Sequence, residues 1–120
     1  MRAKPIVSKL NALKDRVSLF EEQYHRSSSI GGAGVARAEK QIPWICQTLD
    51  QAAEALRSGR DPFGNPIIPG QVISGLKQLT AYVRDSSYGT LMEMVYPGID
   101  KPLQESMDDL EKVIQMMELG

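Results

Sequence analysis

The chain has few of the residues from which enzymes and metal sites are built. Its 120 residues include a single cysteine, Cys46, and a single histidine, His25. One cysteine cannot form an internal disulfide, which favours a reducing compartment. One histidine leaves little with which to activate a nucleophile or bind a metal. We therefore expect a cytoplasmic protein that is not an enzyme and carries no metal or cofactor.

The chain also lacks long apolar runs and a strong net charge. No apolar run approaches the ~18 residues that span a membrane, and the N-terminus has no apolar core of signal-peptide length. With 42% hydrophobic residues, 24% charged residues and a formal charge of −1, the composition is that of a globular protein rather than a disordered one. We expect a single helical domain over residues 1–120, with no membrane segment.

The charge is unevenly distributed along the chain. Residues 1–30 carry six basic and three acidic residues, a net charge of +3, whereas residues 87–120 carry two basic and seven acidic residues, a net charge of −5. Such ends can attract each other within one bundle or between two chains. Arg2, Lys9 and Arg16 are spaced seven apart, so a basic first helix that binds nucleic acid is one functional hypothesis, which the overall charge disfavours.

Apolar residues recur at alternating intervals of three and four, the pattern of helices with one buried face. No segment alternates with a period of two, so we expect an all-α fold. It should be a small bundle of about four main helices plus a short helix, with Pro- and Gly-rich connections. The apolar seams, helix by helix, are Ile6, Leu10, Leu13, Val17, Phe20 and Tyr24; Val35, Ala38, Ile42, Ile45, Leu49, Ala52 and Leu56; Val72, Leu76, Leu79 and Val83; and Leu103, Met107, Leu110, Ile114 and Met117.

Proline, glycine and aspartate mark the predicted helix ends. Gly59 is placed to end the second helix and Asp100 to cap the last one. Pro43 disrupts the turn before it, so the second helix either is kinked there or begins there, and the continuous seam favours the kink. An apolar, Pro-rich linker occupies residues 58–71, and a short helix is expected around residues 91–96.

A serine- and glycine-rich stretch precedes the second helix. Its sequence, RSSSIGGAGVARAEK at residues 26–40, matches neither the P-loop nor the dinucleotide-binding glycine pattern, and no strand precedes it. We expect a flexible joint at residues 27–34. The alternative is a helix start that binds a small anionic or nucleotide ligand through backbone N–H groups. The residues of this alternative site are Gly31, Gly32, Gly34, Arg37 and Lys40.

Several large apolar residues fall outside the seams. Trp44 lies about 140° from Leu49 around the second helix and should face away from the core, and Phe63 lies in the linker. Tryptophan is a preferred interface anchor, and methionine-rich segments form adaptable binding surfaces. These residues predict a protein-binding surface. Its members are Trp44, Phe63, Ile68, Met92, Met94 and Tyr96.

The function that the sequence favours is protein–protein interaction without catalysis. The heptad spacing of the first and last helices also permits packing against a second copy, so we predict a homodimer that binds another protein. An adaptor, an assembly factor, a chaperone-like subunit and an antagonist of a regulator all fit this description, and the sequence does not choose among them.

Overall fold

The computed structural model describes residues 3–26, 32–61 and 63–119, and it confirms the predicted all-α bundle. Within these ranges there is no β-strand, only an isolated antiparallel bridge between Arg60 and Pro66. No helix among the described residues is long and apolar enough to cross a bilayer. The helices are α1 (Ala3–Ser18), α2 (Phe20–Gln23), α3 (Ala33–Ser58), α4 (Pro69–Arg84), α5 (Ser86–Val95) and α6 (Asp100–Leu119).

The four long helices α1, α3, α4 and α6 form a ring. α1 packs against both α3 and α6, and α4 packs against α6 and reaches across to α3. The contact between α1 and α3 is the most extensive of the four, and that between α3 and α4 is the smallest. The bundle measures 47 × 27 × 23 Å, and its radius of gyration of 15.1 Å exceeds the ~13.6 Å of a compact chain of this length. Because the contact between α3 and α4 is the smallest, the ring is closed least tightly between these two helices.

The predicted seams form the core. Every seam position is buried except Tyr24 and Val72, which are half-buried. Because burying a large apolar side chain contributes about 1.5–3 kcal/mol, these seams are the main source of stability. α5 and the turn after it cover one side of the same core. The residues that they add are Tyr88, Met92, Val95, Tyr96 and Ile99.

α3 runs without interruption through Pro43, so the alternative in which the helix begins at Pro43 is wrong. Proline removes one backbone hydrogen bond from a helix. The turns before it nevertheless stay helical, because they bury Ala38 and Ile42 in the core. At the other end, Gly59 adopts the left-handed conformation with φ 71° and donates its N–H to the Ala55 carbonyl at 2.9 Å. The predicted glycine cap is confirmed.

The starts of α5 and α6 differ from the sequence-based expectation. α5 begins at Ser86, before the predicted short helix, because the Asp85 carboxylate accepts from Ser87 N at 2.8 Å. The prediction that Asp100 caps α6 is wrong, since Asp100 is the first residue inside that helix. The backbone N–H groups of Gly98 and Asp100 instead donate to the Glu93 carboxylate, at 2.7 and 3.0 Å. A carboxylate from the preceding helix, α5, therefore holds this helix start.

The oppositely charged ends of the chain meet inside one bundle. Arg16 on α1 pairs with Asp109 on α6 at 2.6 Å, and Arg84 on α4 pairs with Glu111 on α6 at 2.9 Å. Exposed pairs of this kind each contribute at most about 1 kcal/mol, but they orient α6 against both neighbours. Arg16 is thus engaged by a carboxylate, and Arg2, another member of the predicted basic stripe, lies outside the described residues.

Gly98 lets the Tyr24 ring pack over the turn between α5 and α6. Its φ of +91° lies in a region that residues with side chains rarely adopt. A Cβ atom at Gly98 would also lie 3.3 Å from Tyr24 Cε1. Gly64 has a similar φ of +84°, but a Cβ atom there would meet nothing within 4 Å. Comparing substitutions at the two glycines therefore separates the cost of backbone strain from the cost of a steric clash with Tyr24.

Gly98→Ala should lower the free energy of unfolding more than Gly64→Ala does. Each substitution introduces backbone strain of about 1–2 kcal/mol, and only Gly98→Ala also displaces the Tyr24 ring. Chemical denaturation followed by circular dichroism measures both losses. Equal losses in the two variants would show that the close approach of Tyr24 has no energetic consequence.

Candidate functional site

A large groove lies between the C-terminal half of α3 and the N-terminal half of α4, and we call it the α3–α4 groove. It has a volume of about 760 Å³, within the range of protein binding clefts. The loop between the two helices closes one end. The residues that line it are Thr48, Asp50, Gln51, Ala52, Glu54, Ala55 and Ser58 on α3, Arg60, Asp61, Gly64, Ile67 and Ile68 in the loop, and Gln71, Val72, Gly75 and Leu76 on α4.

A stripe of small or uncharged residues runs along each of the two helices that form the groove. On α3 the intervals are four, three, four and three along Trp44, Thr48, Gln51, Ala55 and Ser58. On α4 they are four, three and four along Gln71, Gly75, Gln78 and Tyr82. These spacings place each set on one face of its helix. We call the two sets the uncharged stripes. Their spacing is present in the sequence, but the apolar residues of the core seams form a stronger pattern on the same helices.

Gly75 is the least expected residue of the α3–α4 groove. It lies in the interior of α4, where glycine costs about 1 kcal/mol relative to alanine. It is exposed, and a Cβ atom there would meet nothing within 4 Å, so packing within the chain does not require a glycine. Its backbone, with Ala52 and Ala55 opposite, leaves a shallow floor that another backbone can approach closely.

The described residues of the loop at the end of the groove, on either side of position 62, are ordered by hydrogen bonds among themselves. The Asp61 carboxylate accepts from the backbone N–H groups of Phe63 and Asn65, both at 2.9 Å. Arg60 Nη1 donates to the Gly64 carbonyl at 2.8 Å. Despite this order, the loop leaves its apolar side chains in solvent: Phe63 is 88% exposed and Ile68 is 58% exposed.

A cluster of aromatic rings stands at the opposite end of the groove. Trp44, one turn before Thr48, packs edge-on against Tyr82 with ring centroids 5.1 Å apart, and Tyr82 packs edge-on against Tyr88 at 5.2 Å. The Tyr82 hydroxyl accepts from Arg37 Nη2 at 3.2 Å and from Gln41 Nε2 at 3.4 Å. These bonds tie α4 to α3. We call the Trp44 and Tyr82 rings together the aromatic wall.

One edge of the groove is acidic. Asp50 and Glu54 lie one turn apart on α3, pairing with Lys14 at 3.1 Å and with Arg57 at 2.5 Å. The hydrogen bond from Lys14 to Asp50 raises the pKa of Lys14. Both carboxylates remain more than half exposed, at 57% and 58%. The groove-lining part of α4 carries no charged residue.

The structure brings three of the six predicted partner-binding residues to the groove or its ends. Ile68 lines the groove, Phe63 projects from its loop, and Trp44 stands at its far end. The expectation of a surface position is wrong for Met92 and Tyr96. They are 0% and 6% exposed, because the side of α5 that carries Met92 and the turn that carries Tyr96 both pack against the core.

The sixth predicted residue, Met94, is 54% exposed but lines a separate polar cleft between α5 and α6. The charged groups of that cleft already have structural partners. Arg84 pairs with α6, Asp85 caps α5, and the Glu93 carboxylate holds the start of α6. The remaining carboxylate of the cleft, on Asp100, accepts from Gln104 Nε2 at 3.5 Å.

Two residues of the alternative anion site, Gly34 and Arg37, have contacts with other helices. Gly31 lies outside the described residues, and Gly34 packs against Leu91, to which a Cβ atom would come within 3.5 Å. Arg37 bonds to the Tyr82 hydroxyl on α4, and that bond raises the pKa of Arg37. Gly32 and Lys40 are exposed. Arg37 thus serves the contact between α3 and α4.

A metal-binding cluster and the single cysteine are two further candidates for chemistry in the described part of the chain. No group of three or more His, Cys, Asp or Glu side chains there could hold a metal ion. Cys46 is half-buried with its Sγ 3.7 Å from the Lys14 carbonyl oxygen, and burial raises the pKa of its thiol. A raised pKa keeps this cysteine as the poorly nucleophilic thiol at neutral pH.

No protein-family model, curated protein or solved structure matches this chain. The geometry of the α3–α4 groove is therefore the basis on which a function is proposed.

The Tyr88 hydroxyl next to the aromatic wall is buried without a hydrogen-bond partner, and burial raises the pKa of Tyr88 above its ordinary value of about 10. Tyr88→Phe should leave the free energy of unfolding at pH 7 unchanged or raise it by up to about 1–3 kcal/mol, because it removes an unpaired buried polar group. Thermal and chemical denaturation measure the change. Tyr82→Phe, which removes an acceptor of two hydrogen bonds, should be destabilising.

The same burial of Tyr88 predicts a loss of stability at alkaline pH. The phenol ionises near pH 10 in the unfolded chain but stays protonated in the fold, so stability is unaffected below that pH and falls as the pH rises above it. Denaturation midpoints measured between about pH 8 and pH 11 should fall less for Tyr88→Phe than for the unaltered chain. Parallel pH profiles would contradict this assignment.

Proposed function

We propose that the chain is a non-enzymatic protein-binding module and that the α3–α4 groove is its docking surface. The observation that carries the proposal is the exposure of Phe63 and Ile68 on a loop that its own hydrogen bonds hold in place. An ordered loop with apolar side chains in solvent gains nothing from them in the free chain. They become favourable when a partner covers them.

The energetic scale fits a specific protein contact. Burying a large apolar side chain contributes about 1.5–3 kcal/mol, so two anchors supply a substantial part of a micromolar binding free energy of about −8 kcal/mol. Ile68 and Phe63 lie at one end of the groove and Trp44 lies at the other. Small residues line the groove between them. Anchors of this type, surrounded by weakly contributing contacts, are common at protein interfaces.

This proposal supports the general role of an adaptor, assembly factor, chaperone-like subunit or antagonist of a regulator. All four act by holding another protein on a fixed surface. Their difference lies in the partner, which the groove does not identify by itself. The predicted homodimer stays a prediction.

Ile68→Asp should abolish capture of the partner from cells that express the chain, because it places a charge at the apolar end of the groove. Affinity capture followed by mass spectrometry compares the variant with the unaltered chain. The matched control is Met94→Asp, since Met94 is 54% exposed against 58% for Ile68 but lies outside the groove. A protein retained by the control and lost with Ile68→Asp supports the proposal.

Two results would count against this function. A partner lost with Met94→Asp but kept with Ile68→Asp would place the docking surface at the polar cleft. A dimer that sedimentation detects, and that dissociates on Ile68→Asp, would make a second copy the occupant of the groove in place of another protein.

A further inference from the structure

We propose that the occupant of the α3–α4 groove is an amphipathic helix of about 14 residues with a basic flank. This inference rests on the proposed docking function and names the kind of partner. It depends on three properties of the groove: the length of the uncharged stripes, the absence of backbone groups to pair with a strand, and the acidic edge on α3.

The uncharged stripes set the length of the occupant. On α3 the stripe extends from Trp44 to Ser58. At 1.5 Å per residue this distance is about 21 Å, which a helix of about 14 residues spans. The loop carrying Ile68 closes one end of the groove, and the aromatic wall stands one turn of α3 before Thr48 at the other end. An apolar helix face lying lengthwise would reach both ends.

The walls of the groove favour a helix over an extended segment. An extended peptide gains affinity by pairing its backbone with an exposed strand edge, and the facing walls here are helices whose backbone groups bond within α3 and α4. A helix satisfies its own backbone and needs only a surface of complementary shape. Gly75 and Ala55 provide such a surface, because small residues let two helices approach at the short end of the usual 8–10 Å.

The charges of the groove determine which sign of charge the flank of the occupant should carry. Three carboxylates line it, on Asp50, Glu54 and Asp61, against the single guanidinium of Arg60, which bonds to the Gly64 carbonyl. Asp50 and Glu54 lie at i,i+4 on α3, where like charges repel. Their exposed pairs with Lys14 and Arg57 contribute little and are readily exchanged. Lysines or arginines on the flank that faces α3 would complement this edge.

The test uses a synthetic 14-residue helix without tryptophan, with leucines on one face and lysines on the flank. Trp44 is the single tryptophan of the chain and stands at the end of the groove, so its fluorescence reports binding. We expect a saturable change in its emission. A peptide with glutamates in place of the lysines should bind about tenfold more weakly at low salt. The double substitution Asp50→Asn with Glu54→Gln should bring the two affinities close together.

A substitution that fills the groove gives an independent readout. Gly75→Leu should preserve or increase thermal stability, because leucine is a better helix former than glycine and a Cβ atom there meets nothing within 4 Å, yet it should reduce binding of the lysine peptide by at least about tenfold. The matched control is Ala81→Leu, an exposed position about 120° around α4 from Gly75. It should bind as the unaltered chain does.

The inference is overturned if the lysine peptide fails to bind, if both peptides bind equally, or if Gly75→Leu binds as well as Ala81→Leu. These results are separable from failure of the docking function itself. A cellular partner that is lost with Ile68→Asp but not displaced by the lysine peptide would leave the docking function standing and reject the basic helix as its occupant.

Discussion

The packing of α3 against α1 is the contact on which the rest of the structure depends. α3 buries Ile42, Ile45 and Leu49 completely, and this seam fixes the rotation of the helix about its own axis. Since a helix repeats every 3.6 residues, the residues opposite the seam must then face outward. Trp44 and Ala55 belong to that outward face. The groove is thus a consequence of how the core is made.

α4 takes its position from α6 more than from α3. It buries Leu76, Leu79 and Val83 in the shared core, and its ion pairs run to α6. Its contact with α3 is the smallest of the four in the ring, and the groove lies between these two helices. The stability of the bundle therefore does not require the groove to be filled, and its surface is available for binding. The glycine at position 75 is tolerated for the same reason.

The helix positions were predictable because their signals are local. The seams from Ile6 to Met117 were identified by spacing alone, and the cap at Gly59 by residue type. The failures depended on how neighbouring elements pack. The Glu93 carboxylate holds the start of α6, a role assigned to Asp100, and Met92 turned out to face the core. Neither follows from a local pattern, because each depends on how α5 docks against its neighbours.

The sequence by itself determined the fold class, the core seams, the end of α3 at Gly59 and the outward position of Trp44, since periodicity and capping operate within a few residues of the chain. Only the tertiary structure decided that Trp44, Phe63 and Ile68 lie at or near one groove and that Met92 does not. The physical reason is that a binding surface is shared between helices. Its shape depends on the rotation and separation of α3 and α4, which are set by their packing against α1 and α6.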